Sequence, residues 1–561
     1  MRLPPPPSRA ATLRRLADET FDVLVVGAGA TGAAVARDAA LRGLRVALCD
    51  RGDIAGETSS YSSKLIHGGI RYLENGHLHL VFEALTERRR LMATAPHLCR
   101  PVEFILPVWK GQDPSLAKLS IGVALYDALA LFRSPVHSRR LNPQVLHDLA
   151  PVLRSEGLKG AIGYIDCQTD DSRLVLETAL DAEAAGAAVA TYVEVIAPPA
   201  PRRSHLHVVK AIDRARRPHH GSAHDRHSPA DEFSIAAHAV VNATGPFSDA
   251  FRGDAPVLRP TLGVHIVADA ARLPTGGRAF VVRSPRDGRI MFVLPAGART
   301  IVGTTDTDWP RRPAPGDPIE AAAADVDYLI ESVAHNFPGA QLRSDDVLST
   351  YAGLRPLLAS DDSSPSATSR EHAIWVDRSG LLSVAGGKLT TMRRMGEDVV
   401  DRLIELLQSR GFDRAVGPCL TRTRPLPGGA SPANLGPTAS VHELAADVEA
   451  HLAASFGGRA TEVLALIPEE ENAPLGKRLV PDLPHLVAEV AFAARHEHAL
   501  EVQDVLCRRV PLFRLDKQQG TGCAPVVAEV LAGLHGWSDA HRQASLSQYQ
   551  QLVAGSRRWR G

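Results

Sequence analysis

One glycine-rich turn near the start of the chain, Gly27-Ala28-Gly29-Ala30-Thr31-Gly32, constrains the fold more than any other stretch. It follows an apolar run, Phe21–Val26, and opens an alanine-rich segment of helical character, Gly32–Arg42; Arg45–Cys49 then reads as a second strand. Strand, glycine turn, helix and strand make a βαβ opening with a parallel sheet. In that context Gly27 permits the tight turn, Gly29 lets a pyrophosphate approach the backbone, and Gly32 lets helix and strand pack closely. The helix N-terminus turns its partial positive charge toward the phosphates. Asp50 ends the second strand, 18 residues past Gly32, where a carboxylate can accept ribose hydroxyls. The pattern predicts a bound dinucleotide and leaves FAD and NAD undivided.

Three further segments favour FAD. The hydroxyl-rich stretch Thr58 to Gly69, with Thr58, Ser59, Ser60, Ser63, Lys64, His67 and Gly68, can lay hydroxyls and amides along a second phosphate and the flavin edge. Ala243, Thr244 and Gly245 end another strand with small residues that admit a cofactor. Gly387, Lys388, Leu389 and Thr390 again follow a strand and precede a helix, so their amides can face a flavin carbonyl. Contacts returning from both ends of a long chain suit an extended two-nucleotide cofactor.

At 561 residues the chain exceeds a single domain. Lys+Arg and Asp+Glu both number 63, which argues against a protein that holds nucleic acid by bulk positive charge. The six cysteines stand far apart without a Cys-x-x-Cys pair, disfavouring zinc or iron–sulfur sites and suiting a reducing cytoplasm. No metal site is expected; the histidine-rich His219–Pro229 stretch within the Ala197–Asp231 insertion reads as a surface loop. The first twenty residues lack the apolar core of a secretory signal and, with their proline run, read as a flexible arm. Residues 21–408 read as a Rossmann-like FAD-binding domain. Residues 409–561 read as a linker, rich in Pro and Gly at Arg422–Pro437, and a helical C-terminal domain. Ile121–Leu131 is too short to span a bilayer and reads as a buried helix, with a helix lying on a bilayer as the minority reading.

The blocks TSSYSSKLIHGGIRYLE, VNATGPFSD, RIMFVLPAGARTIVGTTDTDW, TYAGLRPL and SVAGGKLTTMRRMGEDVVD resemble, in order, those of the FAD-dependent glycerol-3-phosphate dehydrogenases. The stretch EVAFAARHEHALEVQDVLCRRVPLF is similar to that family's helical C-terminal domain. The resemblance implies that the FAD-binding domain carries an inserted α+β substrate domain, about 72–165 and 250–350, and that the chain oxidises sn-glycerol 3-phosphate to dihydroxyacetone phosphate, with electrons passed to a quinone. It also implies peripheral association with the inner face of the plasma membrane, and Ser115–Phe132 is the candidate contact. The C-terminal helices read as packing on the flavin domain and supporting a homodimer.

Oxidising a secondary alcohol requires hydride departure to flavin N5, loss of the hydroxyl proton, and a grip on the phosphate dianion. Converging arginines supply such a grip bidentately. The resemblance supports Arg71, Tyr72, Arg355, Arg370 and Lys388 as substrate contacts, with Arg71, Arg355 and Lys388 also acting on the reacting centre. His265 matches a family histidine and His67 is a second candidate for proton acceptor. Leu262, Ala296 and Met392 depart from the family pattern and bear on pocket shape. An oxidase using oxygen, an oxidase of amino or hydroxy acids, and a low-turnover flavin-binding module whose Arg508-Arg509 recruits a partner are the competing readings.

Overall fold

The computed structural model describes residues 5–561 except 71–72, 74–76, 132–135, 199–205, 216–230, 253–254, 360–370, 432, 434–441 and 468–473. Helix α1 (Arg9–Asp18) precedes strand β1 (Thr20–Val26), helix α2 (Ala30–Leu41) and strand β2 (Val46–Cys49). β1 is buried along nearly its whole length because both faces of its sheet are covered, which is why it reads as an unbroken apolar run. It pairs in parallel with β2 on one side and with Glu232–Asn242 on the other; Leu382–Gly386 continues the parallel row. This eight-stranded sheet is completed by Ala188–Ala190 and by three antiparallel strands, among them His207–Asp213. The C-terminal ends of β1, Glu232–Asn242 and Leu382–Gly386 therefore meet at one edge, where ligands of such sheets bind.

A second, ten-stranded sheet is assembled from two chain segments, one containing Arg100–Trp109 and Leu158–Gln168 and the other Leu258–Asp269 to Val347–Leu358. They join where Arg100–Trp109 runs parallel to Ala279–Arg283. Helices α3 (Leu78–Thr94) and α4 (Leu116–Leu129) lie with the first segment. Helices α5 (Asp171–Ala184) and α6 (Met392–Ser409) pack on the cofactor sheet. From Ala446 onward the described residues are helical apart from one isolated bridge, with two small apolar cores of their own.

Two expectations are corrected. The N-terminal arm is interrupted by α1, capped by the Ser8 hydroxyl and anchored by buried Leu16; Arg9 donates to the Thr191 carbonyl at 2.7 Å and pairs with Asp213 at 2.6 Å. The start of the Pro/Gly-rich linker is bolted to the cofactor domain. Arg424 pairs with buried Asp181 at 3.1 Å, and the Gly428 amide donates to Glu177 at 3.1 Å. The apolar Ile121–Leu131 segment is not a buried helix. Val123 and Tyr126 point inward on α4, whereas Ile121 is 73% and Leu125 42% exposed. The Ala197–Asp231 insertion lies largely outside the described residues.

Leu24, fully buried at the centre of β1, tests the sheet's contribution. Leu24→Ala should cost about 2–5 kcal/mol, measured as a lowered urea midpoint of the cofactor domain.

Candidate active site

The edge of the cofactor sheet opens into a cavity of about 360 Å³ lined by residues from Val26 to Met395. Of the residues read from sequence, Gly27, Gly29, Asp50, Thr58, Ser59, Ala243, Thr244, Gly245, Gly387, Lys388 and Leu389 line it. Gly32 lies beneath, where its missing side chain is indispensable: a Cβ there would overlap the Gly27 carbonyl oxygen. At Gly27, with φ +101°, a Cβ would stand 2.6 Å from the Ala243 carbonyl oxygen. The turn is therefore a close junction of β1, α2 and Glu232–Asn242 that only glycine permits. Asp50 accepts from the Ala28 amide at 2.6 Å and the Gly52 amide at 2.9 Å, and burial raises its carboxyl above the ordinary range.

The two glycine-rich loops predicted to meet at the flavin are tied together. The His67 amide donates to Thr390 Oγ1 at 3.1 Å, although the two are 323 residues apart. The Gly68 amide donates to the Tyr126 hydroxyl at 2.8 Å, which donates in turn to Asp166 at 2.7 Å; Arg88 holds Asp166 from the far side. His67, Gly68 and Thr390 are not among the lining residues and shape the cavity from behind.

Arg355 and His265 come from neighbouring strands of the second sheet, in register Thr261↔Arg355, Gly263↔Gly353 and His265↔Tyr351. Alternation puts all six on one face. Three glycines clear that face. A Cβ on Gly263 would overlap the Arg355 guanidinium, one on Gly303 would overlap the His265 ring, and one on Gly353 would press on Tyr61 at 3.0 Å. Arg355 donates to Asp306 at 2.9 Å and to Thr304 Oγ1 at 2.9 Å, which fixes the plane of its guanidinium. Neither Arg355 nor His265 is among the residues that line the cavity, which meets this strand at Pro356.

His265 is buried, stacked on Tyr351 at 4.6 Å, with Nε2 2.9 Å from Ser63 Oγ and, among the described residues, no hydrogen-bond partner for Nδ1. Burial, reinforced by Arg355 and Lys64, holds its pKa well below the ordinary histidine value, so the ring is neutral at pH 7. Ser60, Ser63 and Lys64 serve the protein interior rather than the cavity wall. Ser60 Oγ donates to the Ala55 carbonyl, and Lys64 is buried in an ion pair with Asp171. Arg71, Tyr72 and Arg370 lie outside the described residues.

Several lining residues escaped sequence reading. Val193, Glu194, Val195 and Ile196 wall the cavity from a short strand just before the insertion; its three-residue apolar pattern is too short to mark a site. Arg51, Glu57 and Ser62 adjoin motif residues, and Met395 comes from the inward face of α6, beside Met392, whose bearing on pocket shape was read from sequence.

Comparison with known proteins extends this geometry. The family model described as FAD dependent oxidoreductase matches residues 22–393, and that of the C-terminal domain of alpha-glycerophosphate oxidase matches residues 419–542. A glycerol-3-phosphate dehydrogenase of Synechocystis sp. is 34% identical, over 95% of this chain and 96% of its own length. The chain belongs to the FAD-dependent glycerol-3-phosphate dehydrogenase family. A mitochondrial glycerol-3-phosphate dehydrogenase of Arabidopsis thaliana is 34% identical, covering 98% of this chain and 89% of that protein. The crystal structure of the glycerol-3-phosphate dehydrogenase from Bacillus halodurans, complexed with FAD, superposes with a TM-score of 0.74 at 26% identity, covering 98% and 97% of the two chains. A glycine oxidase from Geobacillus kaustophilus, at 21% identity and a TM-score of 0.51, shares the fold alone.

FAD is the family's cofactor, and this cavity fits it. The Gly27–Gly32 turn would hold the pyrophosphate, Asp50 the ribose, and the Gly386–Leu389 turn the flavin end. Gly32→Ala should abolish FAD retention, read as colourless protein after gel filtration, because the new methyl overlaps a carbonyl oxygen of the turn.

Proposed function

We propose that this chain oxidises sn-glycerol 3-phosphate to dihydroxyacetone phosphate and passes the electrons to a quinone. The observation that carries the substrate reading is the oriented guanidinium of Arg355, held by Asp306 and Thr304 on the face that meets the Thr58–Lys64 loop. FAD, when bound, supplies the two-electron acceptor for the carbinol hydride. The protein supplies the rest. Arg355, with Arg71, Arg370 and Lys388 as its proposed partners, holds the phosphate dianion, and Tyr72 completes the substrate wall. Fixed charge spares the site the reorganisation that water would need at the moment of reaction. A cationic surround also lowers the pKa of the substrate hydroxyl. His265, neutral and hydrogen-bonded to Ser63, is the proposed sink for that proton.

Membrane association rests on a separate feature. Ile121 and Leu125 on α4, and Leu78 and Phe82 on α3, are exposed, each pair is one helical turn apart, and the two helices are in contact. Among the described residues no helix is long and apolar enough to cross a membrane. An exposed apolar row of this kind suits a helix pair lying in the interface, next to the loop that approaches the flavin.

Anaerobic glycerol 3-phosphate should bleach the oxidised flavin bands, and a quinone analogue should restore them; a spectrum that stays oxidised overturns the substrate reading. Rapid peroxide formation with slow quinone reduction would assign oxygen as the acceptor. Arg355→Ala should lower kcat/KM for glycerol 3-phosphate about 100-fold or more while affecting unphosphorylated glycerol far less. Ile121→Asp should release the protein from phosphatidylethanolamine–phosphatidylglycerol vesicles in co-sedimentation, with binding weakened about tenfold.

A further inference from the structure

Two consecutive arginines in the C-terminal domain, Arg508 and Arg509, are almost wholly buried, so they are not a surface for a partner. They lie in a five-residue π-turn, Val505–Arg509, an arrangement that interrupts helices mostly at functional sites. Both reach across to the carboxylate of Asp53, itself buried. Arg508 Nε is 2.5 Å from Oδ2, Arg509 Nη2 is 2.8 Å from Oδ1, and Arg509 Nη1 also pairs with Oδ2. Both arginines also bond within the C-terminal domain. Arg508 Nη2 bonds to Asp504 at 2.6 Å and Arg509 Nη2 to the Glu497 carbonyl at 2.6 Å.

Asp53 closes a four-residue loop whose other end, Asp50-Arg51, lines the cofactor cavity beside Val193–Ile196. That loop is pinned on its second side by backbone bonds: Tyr192 donates to the Gly52 carbonyl at 2.8 Å and Val193 to the Asp50 carbonyl at 2.7 Å. The Tyr192 hydroxyl then donates to Asp504 at 2.7 Å, closing a circuit from loop to C-terminal domain and back. Two acids within four residues would oppose the arrival of an anionic cofactor. The guanidiniums cancel the charge of one acid and fix the position of the other.

We propose that the C-terminal helical domain is a cofactor clamp: Arg508 and Arg509, through Asp53, hold the Asp50–Asp53 loop in the shape that retains the adenosine half of FAD. The loop is thus governed by side chains more than 450 residues away in sequence. Losing one partner leaves a buried, uncompensated charge beside the cavity, and cofactor affinity falls before chemistry is affected.

The test is the FAD dissociation constant of the holoenzyme, read as flavin fluorescence released on serial dilution. R509Q and D53N should raise it about tenfold or more. R299Q serves as comparison: Arg299 joins the second sheet to the C-terminal domain by donating to the Leu515 carbonyl at 2.7 Å and pairing with Asp482, far from the loop in sequence. It should leave the FAD constant within about twofold of native, below the tenfold step that a lost bridge produces. If R509Q does not fold, R509K, which keeps the charge and loses the two-pronged grip, is measured in its place with the same expectation. Constants for R509Q, or R509K, and D53N within twofold of native overturn the proposal. An equal rise in R299Q also overturns it, because any loosening between domains would then suffice.

Discussion

The antiparallel pairing of Leu258–Asp269 with Val347–Leu358 is the constraint on which the site depends. Its register places Arg355 and His265 on one face, and alternation keeps them there, since a shift by one residue would turn both away. The face is usable only because Gly263, Gly303 and Gly353 carry no side chains where the guanidinium, the imidazole and Tyr61 must lie. The Thr58 hydroxyl then donates to the Leu354 carbonyl at 2.6 Å, so the cofactor loop is joined directly to the strand that carries Arg355. The cofactor sheet and the second sheet are thereby held in one frame.

The dinucleotide half of this frame was legible in the sequence. Gly27, Gly29, Gly32 and Asp50 stand in a local strand–turn–helix context in which each residue's task follows from backbone geometry within 30 residues. The choice of FAD over NAD was legible only from three further segments, Thr58–Gly69, Ala243–Gly245 and Gly387–Thr390, and from the family resemblance. Lys64 was misjudged because a scarce lysine in a hydroxyl-rich motif reads as a ligand, while its partner Asp171 lies more than 100 positions away. Ile121–Leu131 was misjudged because its apolar residues circle the helix, and nothing local says which side the sheet will cover. The Val193–Ile196 wall was invisible, since Val193–Val195 owes its place to pairing with His207–Asp213, a strand inside the insertion.

A formal charge of zero conceals extensive internal pairing. Arg37 and Arg424 share Asp181, Arg393 bridges Glu87 and Glu397, and Arg173 pairs with Glu497; the acids of all three groups are buried. Burying such ions costs more than an apolar contact of the same size, and the return is geometric definition. The three clusters join α5 to the linker, α3 to α6, and α5 to the C-terminal helices, so the helices that surround the cofactor sheet are indexed against one another by directed contacts.

The cavity wall begins at Val26 and is not complete until Met395. A ribosome must therefore deliver about two thirds of the chain before the pocket has all its sides, and the Arg508–Arg509 bridge forms only after that. During synthesis the early βαβ unit waits with its apolar strands only partly covered, an interval in which nascent chains of this topology rely on chaperones. The complete pocket therefore exists only late in synthesis, once the chain through Met395 has emerged.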